Sequence, residues 1–197
     1  VIKARELIKS RIVGRVRLIQ LQEEFPFDPS SWRNDRDRNG GGVFIDGGIH
    51  KASVLAFLSE RPDQVYALQV PSGNTELDAE DGIIVTTRSP NGVVGVINHT
   101  WSAGKTTERP WVSVTGTLAS LHFQMGSSWL KIDYGTSQET LIFEDDRRGI
   151  ASMVLEFGRS ILEDDDPTMT GDEGLKDLTL VLKAYESIQS GLPEKLA

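Results

Sequence analysis

Asp46 and His50 stand four residues apart in the run Gly40-Gly41-Gly42-Val43-Phe44-Ile45-Asp46-Gly47-Gly48-Ile49-His50. On a helix that spacing puts both side chains on one face, one turn apart. A carboxylate so placed orients an imidazole and stabilises its protonated form. That suits a group which takes a proton from a hydroxyl and returns it. Five of the eleven residues are glycines, although a glycine inside a helix costs about 1 kcal/mol relative to alanine. Close approach by a ligand or another backbone is a reason to accept that cost at Gly47 and Gly48. Gly40, Gly41 and Gly42 would leave backbone N–H groups at the helix start open to a polar ligand. The same residues also fit a buried helix start, with glycines for tight packing and His50 hydrogen-bonded in the core. Spacing alone leaves both readings open.

Other candidate chemistry is weaker. Gly104-Lys105-Thr106 resembles the end of a phosphate-binding loop, but His99 stands where that motif needs its first glycine. His50, His99 and His122 are too far apart in sequence to form a compact metal-ligand motif. The chain has no cysteine, which removes disulfides, thiolate metal sites and cysteine nucleophiles. A net charge of −8, with the basic Arg33, Arg36 and Arg38 interleaved by Asp35 and Asp37, argues against a nucleic-acid partner. No apolar run approaches the ~20 residues a membrane span needs. A charged N-terminus gives no sign of a signal peptide, so a cytoplasmic location is expected.

The elements that must position Asp46 and His50 can be read from periodicity. A short helix opens the chain and a strand follows over 13–24. A polar loop over 25–39 is long enough to be functional. The glycine-rich helix then runs to about Ser59, stopped by Pro62. Strands are predicted over 64–71, 82–88, 93–101, 111–115, 118–124, 129–134 and 139–143. Ser89-Pro90-Asn91-Gly92, Gly116 and Gly135 supply the turns. Strands joined this tightly are antiparallel neighbours. Two helices close the chain, one with Ile150, Met153, Val154, Phe157 and Ile161 at helical spacing, the other with Leu175, Leu178, Leu182, Tyr185 and Ile188. Thr170 and Glu173 have capping-box spacing, and Gly191 and Pro193 end the last helix. The expected fold is α+β over residues 1–197: a single domain with one mostly antiparallel open sheet and helices packed on one face.

Several of these features together resemble the C-terminal domain of the Gfo/Idh/MocA family of NAD(P)-dependent oxidoreductases. They are Gly14-Arg15-Val16 leading into the first strand, Trp32-Arg33, the glycine run with Asp46 and His50, and Glu80-Asp81 opening a strand. Asn91-Gly92, Trp101, Gly116-Thr117, Gly174-Leu175 and Ala184-Tyr185-Glu186-Ser187 complete the series in order. Each motif is short, but together they cover essentially the whole chain.

The resemblance implies a dihydrodipicolinate-reductase-like C-terminal fold that holds substrate and forms a homo-oligomer through its sheet. It implies a partner Rossmann domain that binds NAD or NADP, and hydride transfer at a CH–OH group of a sugar or polyol. By residue, it implies proton transfer by His50 assisted by Asp46, substrate contacts at Gly41, Gly42, Asp46 and His50, and cofactor contacts at Trp32 and Arg33. This sequence departs from the family in two ways. It contains neither a G-x-G-x-x-G nor a Glu-Lys-Pro motif, so the dinucleotide is expected to be held by a domain outside it, and the isolated chain to be inactive. Ser53 stands where the family often has an acidic residue three positions after the histidine. These departures keep a second expectation alive, a non-catalytic binding or dimerisation module derived from the family. The chain starts with Val1 inside a helical pattern, and a preceding segment is expected.

Overall fold

The computed structural model describes residues 1–24, 26, 32–73, 77–102, 111–144 and 149–196. It opens with helix α1 (Ile2–Lys9), strand β1 (Val16–Glu24), a 3-10 turn at Trp32–Asn34 and a short helix α2 (Arg36–Asn39). A π-helical turn at Phe44–Gly48 then runs into α3 (Ile49–Leu58). Strands β2 (Gln64–Gln69), β3 (Gly82–Arg88), β4 (Val94–Thr100), β5 (Val112–Gly116), β6 (Ser120–Phe123), β7 (Trp129–Asp133) and β8 (Gln138–Ile142) come next. Helices α4 (Ile150–Glu163) and α5 (Gly171–Ser190) and a short strand β9 (Glu194–Lys195) end the chain.

The strands form one nine-stranded sheet in the order β8-β7-β6-β5-β1-β4-β3-β2-β9. The expected hairpins are antiparallel, with Gly92 and Gly135 at φ of 84° and 82° in their turns. The exception lies at the centre, where β1 pairs with β4 in parallel, Ile19 opposite Gly95. A parallel pair needs a long crossover, and the stretch carrying the π-turn and α3 supplies part of it.

One face of the sheet carries Ile19, Leu21, Val65, Ile83, Val85, Ile97, Val112, Val114 and Leu121, all at most 1% exposed. Helix α3 lies on this face through Ala52, Leu55 and Leu58. It comes close because Gly95 has no side chain: a Cβ there would lie 2.6 Å from Leu55 Cδ2. Helix α1 stacks on α3, with the Arg5 guanidinium 4.2 Å from the Phe57 ring centre. Helix α5 lies beside α3 and over β2, and ion pairs from Arg61 to Glu173 and Asp177 tie its first half to the α3–β2 connection.

The two closing helices form where periodicity put them, but neither buries its whole apolar stripe. On α5 the buried residues are Asp177, Leu180, Val181, Ala184 and Ser187, whereas Leu175 and Leu182 are exposed. Asp177 is buried because Arg61 neutralises it, and Ser187 because its hydroxyl bonds Leu192 O and accepts from Ala67 N. On α4 the whole stripe Ile150, Met153, Val154, Phe157 and Ile161 is 55–65% exposed. The capping box at α5 is half formed. Thr170 accepts from Glu173 N, while the Glu173 carboxylate reaches Arg61 and Lys176 instead of turning back. No helix among the described residues is long and apolar enough to cross a membrane.

Candidate active site

The crossover from β1 delivers Trp32 and Arg33 on the 3-10 turn. Helix α2 then ends at Gly40, whose φ of 84° only glycine takes easily. Gly41 and Gly42 pass into the π-turn, which holds Asp46, and His50 comes after it on the first turn of α3. Turns of this kind recur at functional sites. His50 is exposed and Asp46 half-buried. Arg33 Nε donates to both Asp46 carboxylate oxygens, at 3.2 and 3.0 Å. The Arg33 guanidinium lies 4.7 Å from the centre of the half-exposed Trp32 ring. Asp46, Arg33 and Trp32 thus form one chain of contacts. Among the described residues no hydrogen bond joins Asp46 to His50, so the partner that orients the aspartate is Arg33.

The glycines act differently from the ligand reading of their spacing. Gly41 and Gly42 are buried. A Cβ on Gly41 would lie 2.6 Å from Tyr185 Oη, and one on Gly42 would collide with the Glu80 carboxyl and carbonyl. The N–H groups from Gly42 to Ile45 are satisfied from within the chain. Glu80 accepts from Phe44 N at 2.9 Å through its carboxylate and from Val43 N at 2.9 Å through its carbonyl. Tyr185 Oη accepts from Gly42 N and Ile45 N at 3.2 and 3.1 Å and donates to Glu80 Oε1 at 2.7 Å. The open amides expected of Gly40 to Gly42 are therefore replaced, at Gly42, by an internal cap. Burial raises the Glu80 carboxyl above its usual range, against the Phe44 and Tyr185 hydrogen bonds. Burial, then the Glu80 charge, pushes the Tyr185 phenol up.

At the other end of the π-turn, Gly47 makes room for His99: a Cβ there would lie 2.7 Å from His99 Nε2. Gly48 makes room in the same way for the Phe44 ring. His99 on β4 is fully buried, its Nδ1 3.2 Å from Glu23 O. Burial, with the Lys51 and His50 charges, pushes its imidazole down to about 3. Lys51 is also buried, paired with Glu23 and bonded to Gly47 O.

Sequence reasoning gave Glu80 no role beyond its place in a resemblance, gave Tyr185 only that and a place in an apolar stripe, and did not single out Lys51 or Glu23. A lysine at the head of the apolar run from Ala52 to Leu58 was the available signal. Among the described residues no group of three or more His, Cys, Asp or Glu side chains could hold a metal ion. Gly104-Lys105-Thr106 lies outside the described residues.

Comparison with known proteins gives this geometry a context. The model of the GFO/IDH/MocA C-terminal domain matches residues 1–122. A 1,5-anhydro-D-fructose reductase from Ensifer adhaerens is 27% identical over 168 residues, in a match that covers 81% of this chain and 49% of that protein. Aldose-aldose oxidoreductase from Caulobacter crescentus, solved with glycerol, superposes with a TM-score of 0.86 at 23% identity. That match covers 99% of this chain and 60% of the other. Levoglucosan dehydrogenase, solved with NADH and levoglucosan, gives 0.85 at 17% identity, over 98% of this chain and 62% of the other. At these identities the two solved structures establish the fold. The chain spans about half the length of its curated relative and about three-fifths of the solved ones. With its motifs in order, its sheet and its family match in agreement, the chain belongs to the Gfo/Idh/MocA family, through the C-terminal domain of that family.

Proposed function

We propose that this chain is the substrate-binding and catalytic half of an NAD(P)-dependent oxidoreductase acting on a CH–OH group of a sugar, polyol or related metabolite. The observation that carries the reading is the exposed His50 imidazole four residues after an Asp46 carboxylate that Arg33 holds. The names of its relatives support the substrate class. His50 takes the hydroxyl proton as the C–H hydride leaves, and returns it in the reductive direction. Asp46, fixed by Arg33, supplies negative charge on the same turn and an acceptor for a substrate hydroxyl. Gly41 and Gly42 contribute by keeping the turn tight, with the Gly42 amide capped by Tyr185.

The half-exposed Trp32 ring and the Arg33 guanidinium stacked on it offer an aromatic face and a cation, which supports a contact with the dinucleotide at these two residues. When bound, NAD(P) accepts or supplies the hydride. The sequence has no G-x-G-x-x-G, so a Rossmann domain outside it would carry most of the dinucleotide affinity. The outer sheet face exposes Leu68, Ile84 and Val94, which supports a homo-oligomer joined through that face.

The test is His50→Ala in the full-length enzyme. A positioned proton-transfer group contributes about 10²–10⁴-fold, so kcat should fall by that much while fluorescence titration with NADH and NADPH gives an unchanged Kd. Wild-type kcat would refute the role of His50. The non-catalytic alternative draws on the engagement of Asp46 by Arg33 rather than by His50. It predicts no turnover on any aldose or polyol by the full-length protein.

A further inference from the structure

The polar cluster beneath the π-turn has no part in that proton transfer. Lys51 follows His50 directly, yet its side chain is 5% exposed. Its ammonium pairs with Glu23 at the end of β1 and donates to the Gly47 carbonyl at 3.2 Å. His99 on β4 lies against the same carboxylate, Nδ1 to Oε2 at 3.5 Å. Its other ring nitrogen occupies the space left by the missing Gly47 side chain. One ion pair thus joins β1, β4 and the carbonyl that sits between Asp46 and His50.

A buried ion pair is a poor source of stability, because the desolvation of both charges offsets their attraction. Here burial pushes the Lys51 ammonium down to about 8. What the pair does supply is a directed hydrogen bond at residue 47. A π-turn holds one more residue than an α-turn, and a change of one residue in register turns the downstream residues by about 100°. That rotation would change where His50 stands relative to Asp46. At its start the π-turn is held by Glu80 and Tyr185, and at Gly47 by Lys51.

We infer that Lys51, paired with Glu23 and backed by His99, is a positioning residue whose bond to the Gly47 carbonyl fixes the π-turn in the register that sets where Asp46 and His50 stand relative to each other. Its kinetic consequence rests on the proton-transfer reading of His50. Its structural consequence does not.

Lys51→Met alone strands the Glu23 carboxylate in the interior and destabilises the protein for that reason. The informative protein is Glu23→Gln/Lys51→Met, which removes both charges and keeps the volume. Its urea midpoint should stay near wild type. The amide resonances of Asp46 to His50 should shift or broaden, and kcat of the full-length enzyme should fall about a hundredfold, the scale of a small misplacement, at unchanged NAD(P)H affinity. Wild-type resonances together with wild-type kcat would overturn the inference.

Glu23→Gln alone provides a second test and decides the matter if the double variant does not fold. It leaves Lys51 able to donate to Gly47 O, so kcat should stay within about threefold of wild type. A loss as large as that of the double variant, or a tenfold loss where only the single variant folds, would overturn the role of the Lys51–Gly47 bond. His50→Ala measured alongside separates the two readings. If it leaves kcat unchanged, the proton-transfer role fails, while the resonances still decide the role of Lys51.

Discussion

A Cβ at Gly47 would press on the His99 ring, and one at Gly42 would run into Glu80. The glycine run was legible in the sequence as a place of close approach. What approaches was not, because Glu80, His99 and Tyr185 come from the stretch before β3, from β4 and from α5, far along the chain. Gly42→Ala should therefore destabilise by about 1–3 kcal/mol, the usual penalty of overpacking, read as a lower urea midpoint. His99 gives a pH prediction. Its folded-state value of about 3 lies below the ordinary 6.5, so below pH 6.5 the unfolded chain takes up a proton that the folded chain refuses. Stability should then rise with pH between about 3 and 6.5, at up to about 1.4 kcal/mol per unit from this residue. Glu80, raised by burial, works the other way just above the ordinary carboxylate range. Urea titrations at pH 5 and 7 on wild type and His99→Gln isolate the first effect: the variant should show the shallower dependence.

At the scale of elements, local chemistry was a good guide where it acts locally. Asn91-Gly92 and Gly135 fixed hairpins, and Thr170 and Gly191 bounded α5. Periodicity located both closing helices but could not choose the buried face of α5. There Asp177 and Ser187 turn inward because Arg61 and backbone groups meet them. The π-turn has no local signature either, since its start is held by Tyr185 from α5 and by Glu80 from the stretch before β3. Of the candidate site, the positions of Asp46, His50, Trp32 and Arg33 were legible, but not the pairing of Asp46 with Arg33, which depends on how the crossover folds back. Tyr185→Phe removes the hydroxyl that accepts from Gly42 and Ile45 and donates to Glu80, leaving buried partners unmatched. It should cost about 1–3 kcal/mol, measured by thermal or urea unfolding. It should also loosen the turn, visible as faster hydrogen exchange at Ile45.

For the whole molecule, apolar side chains collect in places the described residues leave uncovered. Helix α4 exposes Phe157 at 55%, Leu155 at 70% and Leu162 at 88%. These side chains contribute little to the folding of this chain by itself. Phe157→Glu should shift its unfolding free energy by no more than about 0.5 kcal/mol, while reducing binding of an apolar dye and self-association in sedimentation. An unfolding shift of 2 kcal/mol or more would show that α4 is packed in solution. The antiparallel ladders could be read from tight turns. The meeting of β1 with β4 and β5 could not, because no short-range signal links strands so far apart.

That central placement of β1 bears on how the chain acquires its structure. Ile19 sits between Gly95 and Val114, so the middle of the sheet closes through contacts of long sequence separation, the kind that slows folding. Roughly ninety residues separate Glu24 from Val112, so at about 5–20 residues per second of synthesis β1 waits on the order of 5–20 seconds for its second neighbour. During that wait Ile19 and Leu21 are open to other chains. The polar Gln20 and Gln22 between and beside them interrupt the apolar run, the kind of placement that opposes strand-to-strand association.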